Sequence, residues 1–320
     1  MPSFKSQLIN FALRNRHLLK LRLKKETWDL NTSIPNFRQV CEDGANKAGK
    51  LPDGIEVTPL TVAGLPAEWI RPAPVKNDPV IFYTHGGAYV SGSCADHRAF
   101  VAKFVQGTGM SALLFEYRLA PEHPFPAALD DTLAAYRWLL DLGFSADQIV
   151  IVGESAGGGL CLATLLALRD KGMPLPAAAV ALSPWTDLKL TGLSHKTKAD
   201  VCMSPYRMAA VCSKYYAGEN DPGLPWISPL YGDLHGLPPI AIYVGDDETM
   251  RDDSIRFAEK AQAAGVDVRL TVEMGMVHCY PLFAPLFPEA TQAMQEICTF
   301  IKKYAGQKVE QIPAVQFELA

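Results

Sequence analysis

A chain of 320 residues with 48% hydrophobic and 20% charged side chains has the composition of a folded globular protein, not of a disordered or fibrous one. A formal net charge of −4 leaves no general basic excess, so nucleic acid is not an expected partner. The seven cysteines are odd in number, scattered and without a C-x-x-C pair. This argues against a disulfide framework or a zinc site and for a reducing, cytoplasmic compartment.

Residues 5–25 read as a basic helix carrying Leu8, Phe11, Ala12, Leu18, Leu19 and Leu21 among Arg and Lys. The apolar run from Leu8 to Leu13 is interrupted by Arg14, Arg16 and His17. It is too short for a signal-peptide core or a membrane span, so stable membrane insertion is not expected. Because apolar residues dock a helix, the segment is read as part of a lid with a solvated basic face. A helix lying on a membrane surface is the alternative. Residues 26–50 are polar and irregular or weakly helical.

From residue 55 onward, short apolar, β-branched runs alternate with longer helical stretches. The runs are 55–60, 67–71, 79–84, 111–117, 148–153, 177–183, 239–244 and 267–273. Several are continuously apolar, as strands buried on both faces of a parallel sheet require. Helices are expected at 95–108, 126–142, 156–171, 252–264 and 288–304. The fold class is therefore α/β, an eight-stranded, mostly parallel sheet flanked by helices. More than fifty residues separate the runs 177–183 and 239–244, far beyond an ordinary connection. They hold Trp185, Met203, Tyr206, Met208, Tyr215, Tyr216 and Trp226 and are read as an inserted helical cap. The expected division is 1–50 as the N-terminal part of the cap, 51–185 with 236–305 as the catalytic domain, 186–235 as the inserted cap and 306–320 as a tail.

Three motifs carry chemistry. Gly153-Glu154-Ser155-Ala156-Gly157 lies between a strand and a helix, the setting of a nucleophile elbow. Glycines on either side let strand and helix approach without Cβ clashes. His85-Gly86-Gly87 follows the strand 79–84, where bare amides would point at a developing oxyanion. The amides of Gly86 and Gly87, with that of Ala156, are the expected oxyanion hole, and His85 orders the loop. Of the seven histidines, only His278 follows the last strand, as the order Ser, acid, His demands. The acid comes from the cluster Asp246, Asp247, Glu248, Asp252 and Asp253, among which residue chemistry alone does not choose. Asp252 and Asp253 are read as caps of the helix that begins there.

Taken together, HGGAYVSGS at 85–93, YRLAPEHPFPAALDD at 117–131, GESAGGGL at 153–160, SPWTDL at 183–188 and GDDETMRDDS at 245–254 resemble the bacterial hormone-sensitive-lipase-like esterases of the α/β-hydrolase fold. The resemblance implies cofactor-free and metal-free hydrolysis of a small-molecule ester by a serine carboxylesterase with a capped active site. It also implies a homodimer paired along the strand 267–273. Short- to medium-chain acyl esters are the expected substrates, with lactone hydrolysis, acyl transfer or a non-catalytic binding role as rival readings. The family more often has a third glycine where this chain has Ala88. Its Asp-Pro-Leu-x-Asp acid motif corresponds here to Glu248-Thr249-Met250-Arg251-Asp252. That register places Glu248 as the acid, thirty residues before His278, with Asp247 as the alternative.

Overall fold

A computed structural model of the chain describes residues 2–15, 27–45, 51–73, 79–204 and 207–306. Leu18, Leu19, Leu21 and Tyr206, assigned to the cap from sequence, lie outside these residues, as does the tail beyond Gly306. Eight strands form one sheet: β1 (Ile55–Val62), β2 (Leu65–Pro72), β3 (Val80–Thr84), β4 (Ser111–Phe115), β5 (Ile149–Glu154), β6 (Ala178–Leu182), β7 (Ile240–Gly245) and β8 (Val268–Glu273). Their spatial order is β1-β2-β4-β3-β5-β6-β7-β8. β1 pairs antiparallel with β2 and β2 with β4, while every other pairing is parallel. All eight apolar runs read from the sequence are strands.

Strand periodicity divides the core between the two faces of the sheet. Phe82, Leu113, Ile151, Ala179 and Ile242 point to one face and pack with α4 (Ala127–Asp141), α5 (Ala156–Asp170) and α8 (Arg251–Ala263). Their neighbours Ile81, Ala112, Val150, Val180 and Ala241 point to the other, against α3 (Cys94–Thr108) and α9 (Pro288–Tyr304). The central strands β3, β5, β6 and β7 are buried along their whole length, which explains why their sequences show no polar alternation.

Four further helices complete the described chain. α1 (Phe4–Arg14) and α2 (Ile34–Ala45) precede the sheet, and α6 (Ser194–Thr197) and α7 (Met208–Ala217) lie in the long connection from β6 to β7. The docking of α1 departs from the expected lid helix. Its buried residues are Ser6 and Asn10, whereas Phe4, Leu8 and Phe11 are 82%, 61% and 63% exposed. Polar bonds hold it beside the apolar packing of Ile9 and Leu13: Asn10 Nδ2 donates to Gly275 O at 3.1 Å, and Ser3 Oγ donates to Glu289 Oε2 at 3.0 Å. α2 is tied down by Arg38, which donates to Val90 O (2.7 Å) and Ala120 O (3.0 Å) and pairs with Glu122.

The closest approach between α5 and the sheet is made by glycine. A Cβ on Gly157 would lie 2.1 Å from Thr84 O and 2.3 Å from His85 O, and one on Gly153 would lie 2.4 Å from Gly157 O. Both obstacles are backbone, which cannot swing aside. Gly157→Ala should therefore lower the unfolding free energy by roughly 2 kcal/mol or more, although alanine is intrinsically the better helix former. Urea denaturation followed by circular dichroism measures this, and a variant as stable as the parent would contradict the packing described.

Candidate active site

The parallel strands deliver three loops to one edge of the sheet, at their carboxyl ends, where open α/β sheets place their sites. Ser155 stands between β5 and α5 with φ 57° and ψ −122°. A non-glycine residue there carries strain of order 1–3 kcal/mol, which the surrounding contacts must hold. Ser155 N donates to Leu182 O at 2.8 Å, and its carbonyl accepts from Gly159 N and Trp185 N, both at 3.0 Å. These bonds fix the turn, and the side chain is left half-buried at the head of α5.

The loop after β3 is held by its own histidine. His85 Nδ1 donates to Gly86 O at 2.8 Å, its ring stacks on Tyr117 with centroids 4.1 Å apart, and its carbonyl accepts from Tyr117 Oη at 2.7 Å. Burial and the neighbouring His97 push its pKa down to about 4, so His85 is neutral and structural. The Gly86 amide, one of the three expected at an oxyanion hole, is buried and donates to Glu154 Oε1 at 2.6 Å. No described residue accepts from the amides of Gly87, Ala88 or Ala156, and Gly87 and Ala88 are half-buried at the rim. The contact between Glu154 and the first glycine of the motif is one that the sequence reading did not anticipate.

His278 lies in the loop after β8, and Glu248 in the loop after the adjacent β7. His278 Nδ1 donates to Glu248 Oε2. Glu248 is fully buried, and its other oxygen accepts from Ser183 Oγ at 2.6 Å and Gly245 N at 2.7 Å. Ser183 Oγ in turn accepts from Cys279 N at 2.9 Å. The residue before it, Leu182, receives the Ser155 amide, so two short links join the nucleophile turn to the histidine loop. Burial favours the neutral imidazole, but neighbouring Cys279 and Glu248 outweigh it and hold the His278 pKa above the ordinary histidine value. Burial pushes the Cys279 thiol up and keeps it protonated near neutrality, so Glu248 is the charge that matters.

The rest of the acidic cluster is engaged elsewhere. Asp247 pairs with Arg14 of α1 at 2.6 Å and with Lys198 at 3.0 Å, and its amide donates to Met276 O at 3.0 Å. Asp246 pairs with Lys198 and Arg251. Asp252 and Asp253 do occupy the first turn of α8 but make no cap bond to it. Asp252 accepts from Ser194 N at 2.8 Å. Asp253 accepts from the amides of Thr186 and Asp187 and pairs with His195 at 2.8 Å.

This geometry accompanies extensive similarity to known proteins. The α/β-hydrolase fold family is matched over residues 81–282. An acetyl-hydrolase of Streptomyces hygroscopicus is 38% identical, covering 90% of this chain and 98% of its own. An esterase of Acinetobacter venetianus is also 38% identical, covering 77% and 82%. Among solved structures, an esterase of the bacterial hormone-sensitive lipase family superposes with a TM-score of 0.86 at 40% identity, over 96% of this chain and all of that one. The esterase EstE5, soaked with p-nitrophenyl butyrate, gives 0.87 at 39% identity, over 95% of this chain and all of that one. The chain belongs to the hormone-sensitive-lipase-like esterases of the α/β-hydrolase fold.

Within this esterase, the contacts give the long sequence motifs physical meaning. In YRLAPEHPFPAALDD, Tyr117 braces His85, while Arg118 forms a bidentate pair with Asp131 (2.7–3.0 Å) that closes the segment on itself. In SPWTDL, Ser183 joins the acid to the histidine loop. Motif spacing alone did not assign Ser183 this place, although it stands first in the quoted stretch. Glu248→Gln should lower kcat by on the order of 10³–10⁴ and Asp247→Asn by less than about tenfold. Because the Glu248 charge raises the His278 pKa, its removal should also move the acid limb of the pH–rate profile to lower pH. The opposite ranking of the two variants, or an unmoved limb, would transfer the acid's place to Asp247.

Proposed function

We propose that this esterase hydrolyses short- to medium-chain acyl esters through an acyl-enzyme formed on Ser155, with His278 as general base and Glu248 as the acid that orients it. The observation that carries the reading is the fully buried Glu248 carboxylate bonded to His278 Nδ1. That bond fixes the tautomer in which Nε2 is the free, proton-accepting nitrogen. His278 takes the Ser155 proton as Oγ attacks the ester carbonyl carbon. The amides of Gly87, Ala88 and Ala156 receive the negative oxygen at the positive end of α5. The tetrahedral species expels the alcohol, which takes the proton from His278. Water, deprotonated by the same imidazole, then releases the carboxylic acid and restores Ser155.

Short acyl chains are favoured by the company the chain keeps: the relative named acetyl-hydrolase and the neighbour soaked with a butyrate ester. α1, α2, α6 and α7 are read as the cap that bounds the acyl site. α7 reaches the loop after β3 through Tyr216, which stacks on Tyr89 with centroids 3.6 Å apart. Among the described residues no strand pairs with the outer edge of β8, and Val268, Leu270 and Val272 on it are half-buried. We read it as the seam of a two-fold homodimer in which a second β8 satisfies its free amides and carbonyls. The cytoplasm is the proposed location, consistent with seven cysteines that form no disulfide.

Ser155→Ala should fold normally and lose on the order of 10⁶ in kcat on p-nitrophenyl esters. A folded variant retaining a tenth of the parent rate would remove the assignment. Across a series of p-nitrophenyl esters from acetate to palmitate, kcat/KM should peak at or below about eight carbons. Faster turnover of emulsified long-chain triglyceride would contradict the acyl-length reading.

A further inference from the structure

Behind the reactive loops lies a charged cluster that the mechanism above does not use. Glu154, the residue before Ser155, is buried; its Oε1 accepts from Gly86 N at 2.6 Å and pairs with His97 Nε2 at 2.9 Å. The other ring nitrogen of His97 stands 2.6 Å from Asp96 Oδ1. Both ring nitrogens of His97 thus face carboxylate oxygens, an arrangement that favours the doubly protonated, cationic ring. The side chains of His97, Asp96 and Glu154 are 12%, 7% and 5% exposed, so water screens these charges little.

The charges are not equally in need of a partner. Asp96 is the third residue of α3 and completes a capping box with Ser93, accepting from Ser93 N at 2.7 Å. The positive helix end and that amide already favour its negative charge. Among the described residues, Glu154 has one cation, His97, and its second oxygen is buried without a hydrogen-bond partner. Through Gly86 the same carboxylate holds the loop whose next amides, Gly87 and Ala88, face the site. A negative charge fixed there opposes the negative charge that develops on the substrate oxygen, unless it is cancelled.

We propose that His97 is a positioning residue of this esterase: bridging Asp96 and Glu154, it anchors Glu154 on the Gly86 amide and cancels that carboxylate's charge beside the oxyanion-binding amides. His97 touches no substrate. It acts by letting Glu154 shape the loop without penalising the transition state. A buried carboxylate that loses its one cation is strongly unfavourable, both for folding and for any second negative charge nearby. The high His97 pKa, about 10, agrees with the geometry: burial pushes it down, and Glu154 and Asp96 more than reverse this.

The inference rests on Ser155 and its facing amides being the reactive site, and a kinetic double-mutant cycle tests it. His97→Gln can still donate to Glu154 but carries no charge. Glu154→Gln keeps an oxygen that accepts from both Gly86 and His97. His97→Gln in the parent should lower kcat by roughly tenfold or more with KM changed less than about twofold, the signature of a lost transition-state interaction. A trifluoromethyl ketone, whose hydrate-like adduct with the serine carries the oxyanion, should weaken by a similar factor. In the Glu154→Gln background the same His97→Gln change should lower kcat less than about twofold, since the carboxylate charge beside the oxyanion-binding amides is gone and Asp96 keeps its capping-box partner. Equal losses in both backgrounds, an unchanged kcat in the single variant, or a loss carried by KM would overturn the proposal. If His97→Gln alone does not fold, the double variant decides. It is expected to fold and keep the kcat of Glu154→Gln, and a double variant that is unfolded or inactive overturns the role of His97. Failure of the site itself is distinguishable, because an active Ser155→Ala variant defeats both readings, whereas an inactive one beside an unaffected His97→Gln defeats only this one.

Discussion

A carboxylate buried out of reach of water is the constraint around which this esterase is built. Taking such a charge from water is unfavourable by several kcal/mol, and only a full set of donors offsets it. Glu248 finds them on three different elements: the amide at the end of β7, the hydroxyl after β6 and the imidazole after β8. Meeting that demand brings the three loops into register, and the orientation of His278 follows. Ser183 does double duty, donating to the acid and accepting from Cys279 N, so the acid and the histidine loop cannot shift independently.

A second carboxylate, Glu154, plays a parallel part on the other side of Ser155. The two buried acids differ in what they hold. Glu248 holds the imidazole of His278, and Glu154 holds a stretch of backbone. Between them lies the strained serine, fixed through its amide and carbonyl by Leu182, Gly159 and Trp185. The N-terminal helix joins this frame from outside. Arg14 reaches both Asp247 Oδ2 and Gly275 O, so α1 grips the acid loop and the histidine loop together. Its inner face mixes the polar Ser6 and Asn10 with Ile9 and Leu13, which pack on the core, and Phe4, Leu8 and Phe11 are left outside.

The sheet was legible because β3, β5, β6 and β7 are apolar along almost all of their length and separated by helical segments with clear ends. The elbow was legible because Gly153 and Gly157 sit where backbone must approach backbone. The contact between Glu248 and His278 is not legible in the chemistry of the cluster, since five neighbouring acids look alike until the loop is folded; only register against a family motif singles Glu248 out. The bond from Gly86 N to Glu154 was not legible, because no local pattern carries a contact between residues 86 and 154. The same is true of His97, a histidine in the first turn of a helix that becomes remarkable only when Asp96 and Glu154 close on it. The orientation of α1 was misread for a related reason: its anchoring partners, Gly275, Asp247 and Glu289, lie more than 230 residues away.

The central claim is that one serine, and no other, is made nucleophilic by this frame. Intact-mass measurement after treatment with diethyl p-nitrophenyl phosphate tests it directly. The account predicts a single diethylphosphoryl addition that maps to Ser155, in step with loss of esterase activity. No addition should appear on protein carrying alanine at that position. Labelling of another residue, or inactivation of the enzyme without modification of Ser155, would contradict it.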